Sequence, residues 1–344
     1  MHRLLWLLLP VLALPVAGIL YQRLGALRDK RRFLKLGTLV DIGMRQRMYL
    51  SQRGTAGPTV IFESGIAATS QNWMRLQESV SSFARTVTYD RSGLGWSSES
   101  VSERIPSNIV RELRLMLDRA AIPPPYVLIG HSFGGLVVRH FASEHPGEVA
   151  GVVLIDPMRT EEWPPVNTTQ SPLLERGLWL TGMAVPIARF GLARLAITSL
   201  LCRSGRASSF FSRIAGAGGQ HVLDRVTCEL DKMPREVWPI VAAHWSTPKF
   251  YRGLAAHIRA VPACVREMHN AAPIEGIPVL LLTPATAEPL SPDALRCIGS
   301  TTRQIIVEES GHWVHLDQPE LVLEAVRRVV EETRATVLEE VEMA

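Results

Sequence analysis

The chain of 344 residues is 47% hydrophobic and 20% charged. That excludes a disordered chain, a coiled coil and a collagen-like repeat, and leaves enough apolar residues for one large domain or two small ones. The net charge of +4 is unevenly placed: residues 1–53 hold ten Lys or Arg against two Asp or Glu, so the rest of the chain carries −4 and a nucleic-acid reading of the basic balance falls away.

At the N-terminus, Leu4 to Leu20 contains no charged residue, and Arg23, Arg28, Lys30, Arg31, Arg32 and Lys35 follow it against Asp29 alone. A run of 17 residues is at the short end of what crosses about 30 Å of hydrocarbon. An uncleaved anchor, a cleaved signal peptide and a buried helix compete for it. Cleavage after Ala17 would put Pro15 where a small residue is needed, and cleavage after Ala13 leaves a very short apolar core. The favoured reading is a single-pass membrane anchor over residues 1–22 and a basic juxtamembrane linker over 23–37. Cations on its C-terminal side keep the body on the cytoplasmic face; secretion after signal-peptide cleavage is the alternative.

From Pro58 onward, short β-branched runs alternate with helical patterns, the signature of a parallel sheet covered by helices. Strands are predicted at Pro58 to Phe62, Thr86 to Tyr89, Tyr126 to Ile129, Val149 to Ile155, Pro278 to Leu282 and Gln304 to Val307. Apolar positions at helical spacing predict helices over 109–120 and from about Pro319 to Val330. The interval between Asp156 and Pro278 breaks the alternation. It holds Trp163, Trp179, Phe190, Phe210, Phe211, Trp238 and Trp245, and its apolar stretch from Leu173 to Leu201 is interrupted by Glu175, Arg176, Arg189 and Arg194. A helical cap is favoured there over a second membrane span. The predicted organisation is a sheet core from 38–158 and 273–335, an inserted cap from 159–272 and an acidic tail from 336–344.

Cys202, Cys228, Cys264 and Cys297 have no Cys-x-x-Cys spacing and read as four reduced thiols in or near apolar surroundings. Asn167-Thr168-Thr169 is a glycosylation sequon, silent on a cytoplasmic face.

Gly130-His131-Ser132-Phe133-Gly134-Gly135 follows a strand directly and opens a helix. A serine on so sharp a turn is held in strained backbone angles, and glycines beside it admit the close approach of neighbouring chain. Its hydroxyl needs a base within hydrogen-bond reach. His312, in Ser310-Gly311-His312-Trp313 after the last strand, is the candidate base, with His315 the lesser one; His131 reads as packing beside the turn.

Five motifs in order resemble those of the α/β-hydrolase superfamily over about Val40 to Val330. They are Glu63-Ser64-Gly65-Ile66, Tyr89 to Ser97, Gly130 to Gly135, Val153 to Pro157, and Gly311-His312 through Glu320. The resemblance implies a mostly parallel α/β sheet flanked by helices with an inserted helical cap. It also implies an oxyanion hole from the backbone N–H groups of Phe133 and Ile66, with Ser64 where the family usually has histidine. Asp90 and Arg91 read as structural residues of a tight turn. The triad carboxylate has two candidates. Asp156 ends the strand after the nucleophile's helix, and Glu288 stands four residues before Pro292, where the usual aspartate would stand; Asp293 is behind both.

The combined expectation is a membrane-anchored serine hydrolase cleaving an ester or related acyl bond of a hydrophobic, lipid-like substrate through an acyl-enzyme. A cofactor-free haloperoxidase or C–C bond hydrolase on the same triad, or a non-catalytic binding or scaffold protein that kept the fold, stand as alternatives. No metal cluster, phosphate-binding loop or dinucleotide fingerprint appears in the sequence, so no cofactor is expected.

Overall fold

The computed structural model describes residues 2–201, 230–269 and 271–343; Cys202, Cys228, Phe210 and Phe211 lie outside them. Among the described residues, one sheet contains β1 (Thr38–Gly43), β2 (Gln46–Arg53), β3 (Thr59–Glu63), β4 (Arg85–Tyr89), β5 (Tyr126–His131), β6 (Val149–Ile155), β7 (Val279–Pro284) and β8 (Arg303–Val307). Their order is β1-β2-β4-β3-β5-β6-β7-β8. The two pairings made by β2 are antiparallel, and every pairing from β4 to β8 is parallel. This is the α/β fold the sequence predicts.

The six strands read from sequence are β3 to β8. The β1–β2 hairpin is additional, and its turn runs through Met44 and Arg45 at φ 50° and 59°. Neither is the Asn or Gly that ordinarily marks such a turn.

The helices are α1 (His2–Phe33), α2 (Met74–Val80), α3 (Pro106–Arg119), α4 (Phe133–Glu144), α5 (Ser171–Arg189), α6 (Leu192–Leu201), α7 (Trp238–Trp245), α8 (Pro248–His269), α9 (Pro292–Ile298), α10 (Val314–Asp317) and α11 (Pro319–Met343). Successive side chains of a strand point to opposite faces, so Ile61, Leu128 and Leu154 pack with α3, α4 and the C-terminal half of α8. Val60, Phe62, Ile129 and Ile155 pack with α2 and α11 on the other side. Both faces are covered, which is why the parallel strands read as continuous apolar runs rather than as alternation.

The chain forms two compact units, one of residues 37–174 and 256–344, the other of residues 1–36 and 175–255. These limits differ from the predicted ones in three places. Residues 23–33, expected in a linker, continue α1 without a break. Residues 159–174 and 256–272, expected in the cap, belong to the sheet unit, where Ala260, Cys264 and Met268 are buried in its core. Residues 336–343, expected as a tail, extend α11. Of the cysteines described, Cys264 is buried and Cys297 is exposed, which corrects the apolar surroundings expected for the latter.

Among the described residues, no single helix is long and apolar enough to cross a membrane. One pair, Thr168–Arg189 with Leu192–Ser199, passes that test jointly but is bent by 94°. The bend falls at Gly191, whose φ of 77° ends α5 as glycine often ends helices.

Candidate active site

Ser132 follows β5 and caps α4 with φ 54° and ψ −120°, backbone angles that cost a non-glycine residue free energy and persist where the surroundings enforce them. The surroundings are tight. A Cβ on Gly130 would come within 2.5 Å of Val138 Cγ2, one on Gly134 within 2.5 Å of the Glu63 carbonyl, and one on Gly135 within 2.5 Å of Pro157 Cβ. The amide of Ser132 donates to the Ile155 carbonyl at 3.1 Å and its carbonyl accepts from Met158 at 3.0 Å. The turn is thereby clamped to the end of β6. Phe133 opens α4, so its N–H has no acceptor within the helix and lies at the end that favours negative charge.

Asp156 leaves the end of β6, the strand beside β5, and it too has positive φ, at 38°. Its amide donates to the Leu282 carbonyl at 2.9 Å, and its Oδ2 accepts from His312 Nδ1 at 2.7 Å. Of the candidate acids, Asp156 is therefore the one brought to the histidine. Glu288 is exposed, and its backbone carbonyl accepts a hydrogen bond from Arg159. Asp293 is exposed and paired with Arg296.

His312 lies in the loop between β8 and α10 with its side chain 40% exposed, open to a reactant. Asp317 Oδ2 holds the Gly311 amide at 3.0 Å. His131 holds the next residue: its Nε2 is 2.8 Å from the His312 carbonyl. A carbonyl only accepts, so the His131 proton sits on Nε2. Burial, with His315 and His312 adding to it, depresses the His131 pKa well below its ordinary value, so the ring is neutral. It supports the loop carrying His312, as its packing position predicts. His315 is buried, with its ring against Trp73 at 4.4 Å and His131 at 4.5 Å.

The loop after β3 carries Ile66. Ser64, where histidine was usual for the resemblance, accepts from Trp73 Nε1 at 2.9 Å and donates to the Thr69 carbonyl at 3.2 Å, tying the loop to the helical turn that follows. Arg91 does more. It is buried, with Nη1 donating to Glu63 Oε1 and to the Ser64 carbonyl at 2.6 Å each, and Nη2 donating to the carbonyls of Gly65 at 2.5 Å and Ile66 at 3.3 Å. The Gly65 carbonyl and the Ile66 N–H belong to one planar trans peptide, so fixing the carbonyl on Arg91 turns that N–H away from the guanidinium. The guanidinium also lies 5.1 Å from the Phe133 ring. Burial pushes the Glu63 carboxyl up to about 7 against the opposing pull of Arg91.

The tight-turn role expected of Asp90 holds, since its carboxylate accepts from the amides of Ser70 at 2.9 Å and Trp96 at 2.8 Å. The same expectation for Arg91 is corrected. The missed signal was pairwise: Glu63 ends β3, Arg91 follows β4, and these strands are neighbours, so an acid and a base leave adjacent strand ends together.

A family model described as Alpha/beta hydrolase family matches residues 60–325. The chain is 33% identical over 106 residues to the uncharacterized protein YqjL of Bacillus subtilis (strain 168), covering 31% of this chain and 42% of that protein. It is 32% identical over 111 residues to lipase LipV of Mycobacterium tuberculosis, covering 32% of this chain and 41% of LipV. Both matches thus span less than half the length of the relative. Among solved structures, a thermophilic esterase from Thermogutta terrifontis is similar with a TM-score of 0.59 at 18% identity, covering 86% of this chain and 98% of the esterase; at that identity the likeness concerns the fold alone.

Proposed function

The chain belongs to the alpha/beta hydrolase family, and from that premise we propose that it is a serine hydrolase acting on an ester or related acyl bond. The observation that carries the reading is the 2.7 Å hydrogen bond from His312 Nδ1 to Asp156, made at the end of the sheet where Ser132 is held in its strained turn. With its Nδ1 proton committed to the carboxylate, a neutral His312 presents Nε2 as a base. The Ser132 hydroxyl gives its proton to that nitrogen as its oxygen bonds to the acyl carbon. The carbonyl oxygen, now an anion, is received by the N–H groups of Phe133 and Ile66. His312 then returns the proton to the leaving alcohol, water attacks the acyl-enzyme by the same route, and the carboxylic acid departs.

A hydrophobic acyl substrate is the substrate class proposed, supported by the lipase named among the relatives. The uncharged run from Leu4 to Leu20 is the proposed membrane attachment, with the cations behind it holding the body on the cytoplasmic side. Fluorophosphonate labelling tests the catalytic reading: the wild type is expected to label and Ser132→Ala to remain unlabelled. A wild type that stays unlabelled, or an alanine variant that labels equally, would refute Ser132 as nucleophile. A screen of acyl esters by chain length then reports the substrate class, and protease protection in sealed vesicles reports the orientation.

A further inference from the structure

In the unit formed by residues 1–36 and 175–255, Met233, Val237, Ile240 and Val241 make a buried apolar interior at and before α7, whereas the contacts between α1 and α6 are made by polar and small residues. On α1, the positions Gly18, Gln22, Gly25 and Asp29 recur at helical spacing; Gly18 lies against the backbone of Phe190, and Gln22, Gly25 and Asp29 lie against Arg194 of α6. Arg194, buried at 6% exposure, donates from Nε to Gln22 Oε1 at 2.9 Å and from Nη1 to Asp29 Oδ2 at 2.5 Å. The helices come close enough that a Cβ on Gly25 would meet Arg194 Nε at 2.7 Å, and one on Gly191 would meet Tyr21 Cδ1 at 2.8 Å. The inward positions of α5 and α6 are small or polar as well, namely Thr181, Ala188, Ala193 and Arg194.

Large apolar side chains along α1, α5 and α6 point outward. Val16, Leu20, Leu24 and Leu27 form an exposed stripe along α1, and Trp179, Met183 and Ile187 form one along α5, with Leu192 and Leu195 exposed on α6. Scattered exposed leucines need no explanation, but stripes on three helices of one unit do. An ion pair and an amide inside, small residues at the crossings and large apolar side chains outside form the pattern of helices whose surroundings are lipid.

We propose that this α1–α5–α6 face is seated in a lipid bilayer, so that the inserted helices, and not the N-terminal segment alone, contact acyl chains. Three features select a bilayer as occupant. The exposed stripe of α1 is continuous with the uncharged run from Leu4 to Leu20 on the same helix. The cations Arg23, Arg28, Lys30, Arg31 and Arg32 follow on α1, and Arg176 and Arg189 stand on α5, placed to meet anionic headgroups. The 94° bend between the apolar helices α5 and α6 suits a wedge entering one leaflet rather than a span. The inference deepens the proposed membrane attachment of residues 4–20 but does not require that segment to cross the bilayer.

The test uses the full-length protein with vesicles of phosphatidylcholine and phosphatidylglycerol containing a lipid with a photoreactive diazirine in its acyl tail. Adduct sites are mapped by mass spectrometry. Adducts on residues 179–195 are expected in addition to those on residues 4–20. The double variant Met183→Glu with Ile187→Glu should lower the α5 adducts by roughly tenfold or more, while residues 4–20 remain labelled and hydrolysis of a water-soluble ester is retained. Adducts confined to residues 4–20 would overturn the inference and leave the anchor standing. Adducts on 179–195 alone would support it and remove the anchor. Absence of lipid adducts on α5 and α6 would overturn it, and a dimer in solution by sedimentation that the double variant abolishes would show a second copy as the occupant.

Discussion

The two units of the chain differ in what they leave exposed. In the sheet unit, apolar side chains from both faces of the strands fill the interior, and the charges admitted are few and closely matched, such as Arg91 on Glu63 and Arg104 on Glu112. In the helical unit the interior holds Arg194, Gln22 and Asp29 as well as the apolar Met233, Val237, Ile240 and Val241, while leucines of α1, α5 and α6 and Trp179 face outward. The same physical rule yields both, because a helix turns its poorly solvated side away from its surroundings. What differs is the surroundings proposed: water for the sheet unit and hydrocarbon for the α1–α5–α6 face of the other.

The largest effect is expected at the catalytic site proposed for the sheet unit. Asp156→Asn should keep the fold and lower turnover by on the order of 10⁴, because the amide no longer fixes the proton on the Nδ1 side of His312. Glu288→Gln should leave turnover within about twofold of wild type, since surface changes away from special features have small effects. Turnover on a water-soluble ester, measured for both variants, separates them; an inactive Glu288→Gln with an active Asp156→Asn would reverse the assignment.

Arg91→Met comes next. It leaves Glu63 in the interior without its cation, which costs about 3–5 kcal/mol, readable by denaturant unfolding. It also releases the carbonyls of Ser64, Gly65 and Ile66, so kcat should fall by about 10² to 10³ with little change in KM, as for loss of one oxyanion donor. A variant that loses stability but keeps the wild-type kcat would make Arg91 a purely structural clamp.

In the helical unit, Arg194→Leu removes the donor to Asp29 and Gln22 and should cost about 1.5–3 kcal/mol, the range for a hydrogen bond to a charged group. Replacing Asp29 and Gln22 by leucine as well should recover much of that loss in vesicles. Thermal unfolding of the vesicle-bound protein checks both. Recovery in water but not in vesicles would contradict the solvent contrast between the units.

Much of the sheet unit was legible in the sequence because its parallel strands are buried on both faces and read as apolar runs bounded by turns. Ser132 and His312 were legible as candidates because glycine-bracketed turns follow strands. Three things were less so. The β1–β2 hairpin turns through Met44 and Arg45, which carry no turn signature. The choice of Asp156 over Glu288 depends on which strand end the His312 loop reaches, a matter of sheet order that composition does not encode. Arg91 stands beside a residue that does serve the turn, and its reach to residues 63–66 appears only when β3 and β4 are placed side by side. In the helical unit the apolar run was plain, but its inward and outward faces were not, since leucines recur on both kinds of solvent-facing helix.

The smallest expected effect concerns acid stability of the sheet unit. His131 is neutral and buried, its pKa held well below the ordinary histidine value by desolvation. In the unfolded chain it takes up a proton near its ordinary value of about 6.5. Below that pH the unfolded state binds more protons than the native state, so stability rises with pH and falls on acidification, with a slope from this group approaching about 1.4 kcal/mol per pH unit. Above about pH 7 the contribution is flat. The His131→Phe variant should be less stable at neutral pH, because the His312 carbonyl loses its donor, yet its unfolding midpoint should fall less steeply between pH 7 and 5.5 than that of the wild type. Denaturant midpoints of the two proteins across that interval decide it: parallel curves would mean that His131 takes up its proton in the native state as readily as in the unfolded chain, and that the ring between the His312 loop and the Ser132 turn is not kept neutral by its burial.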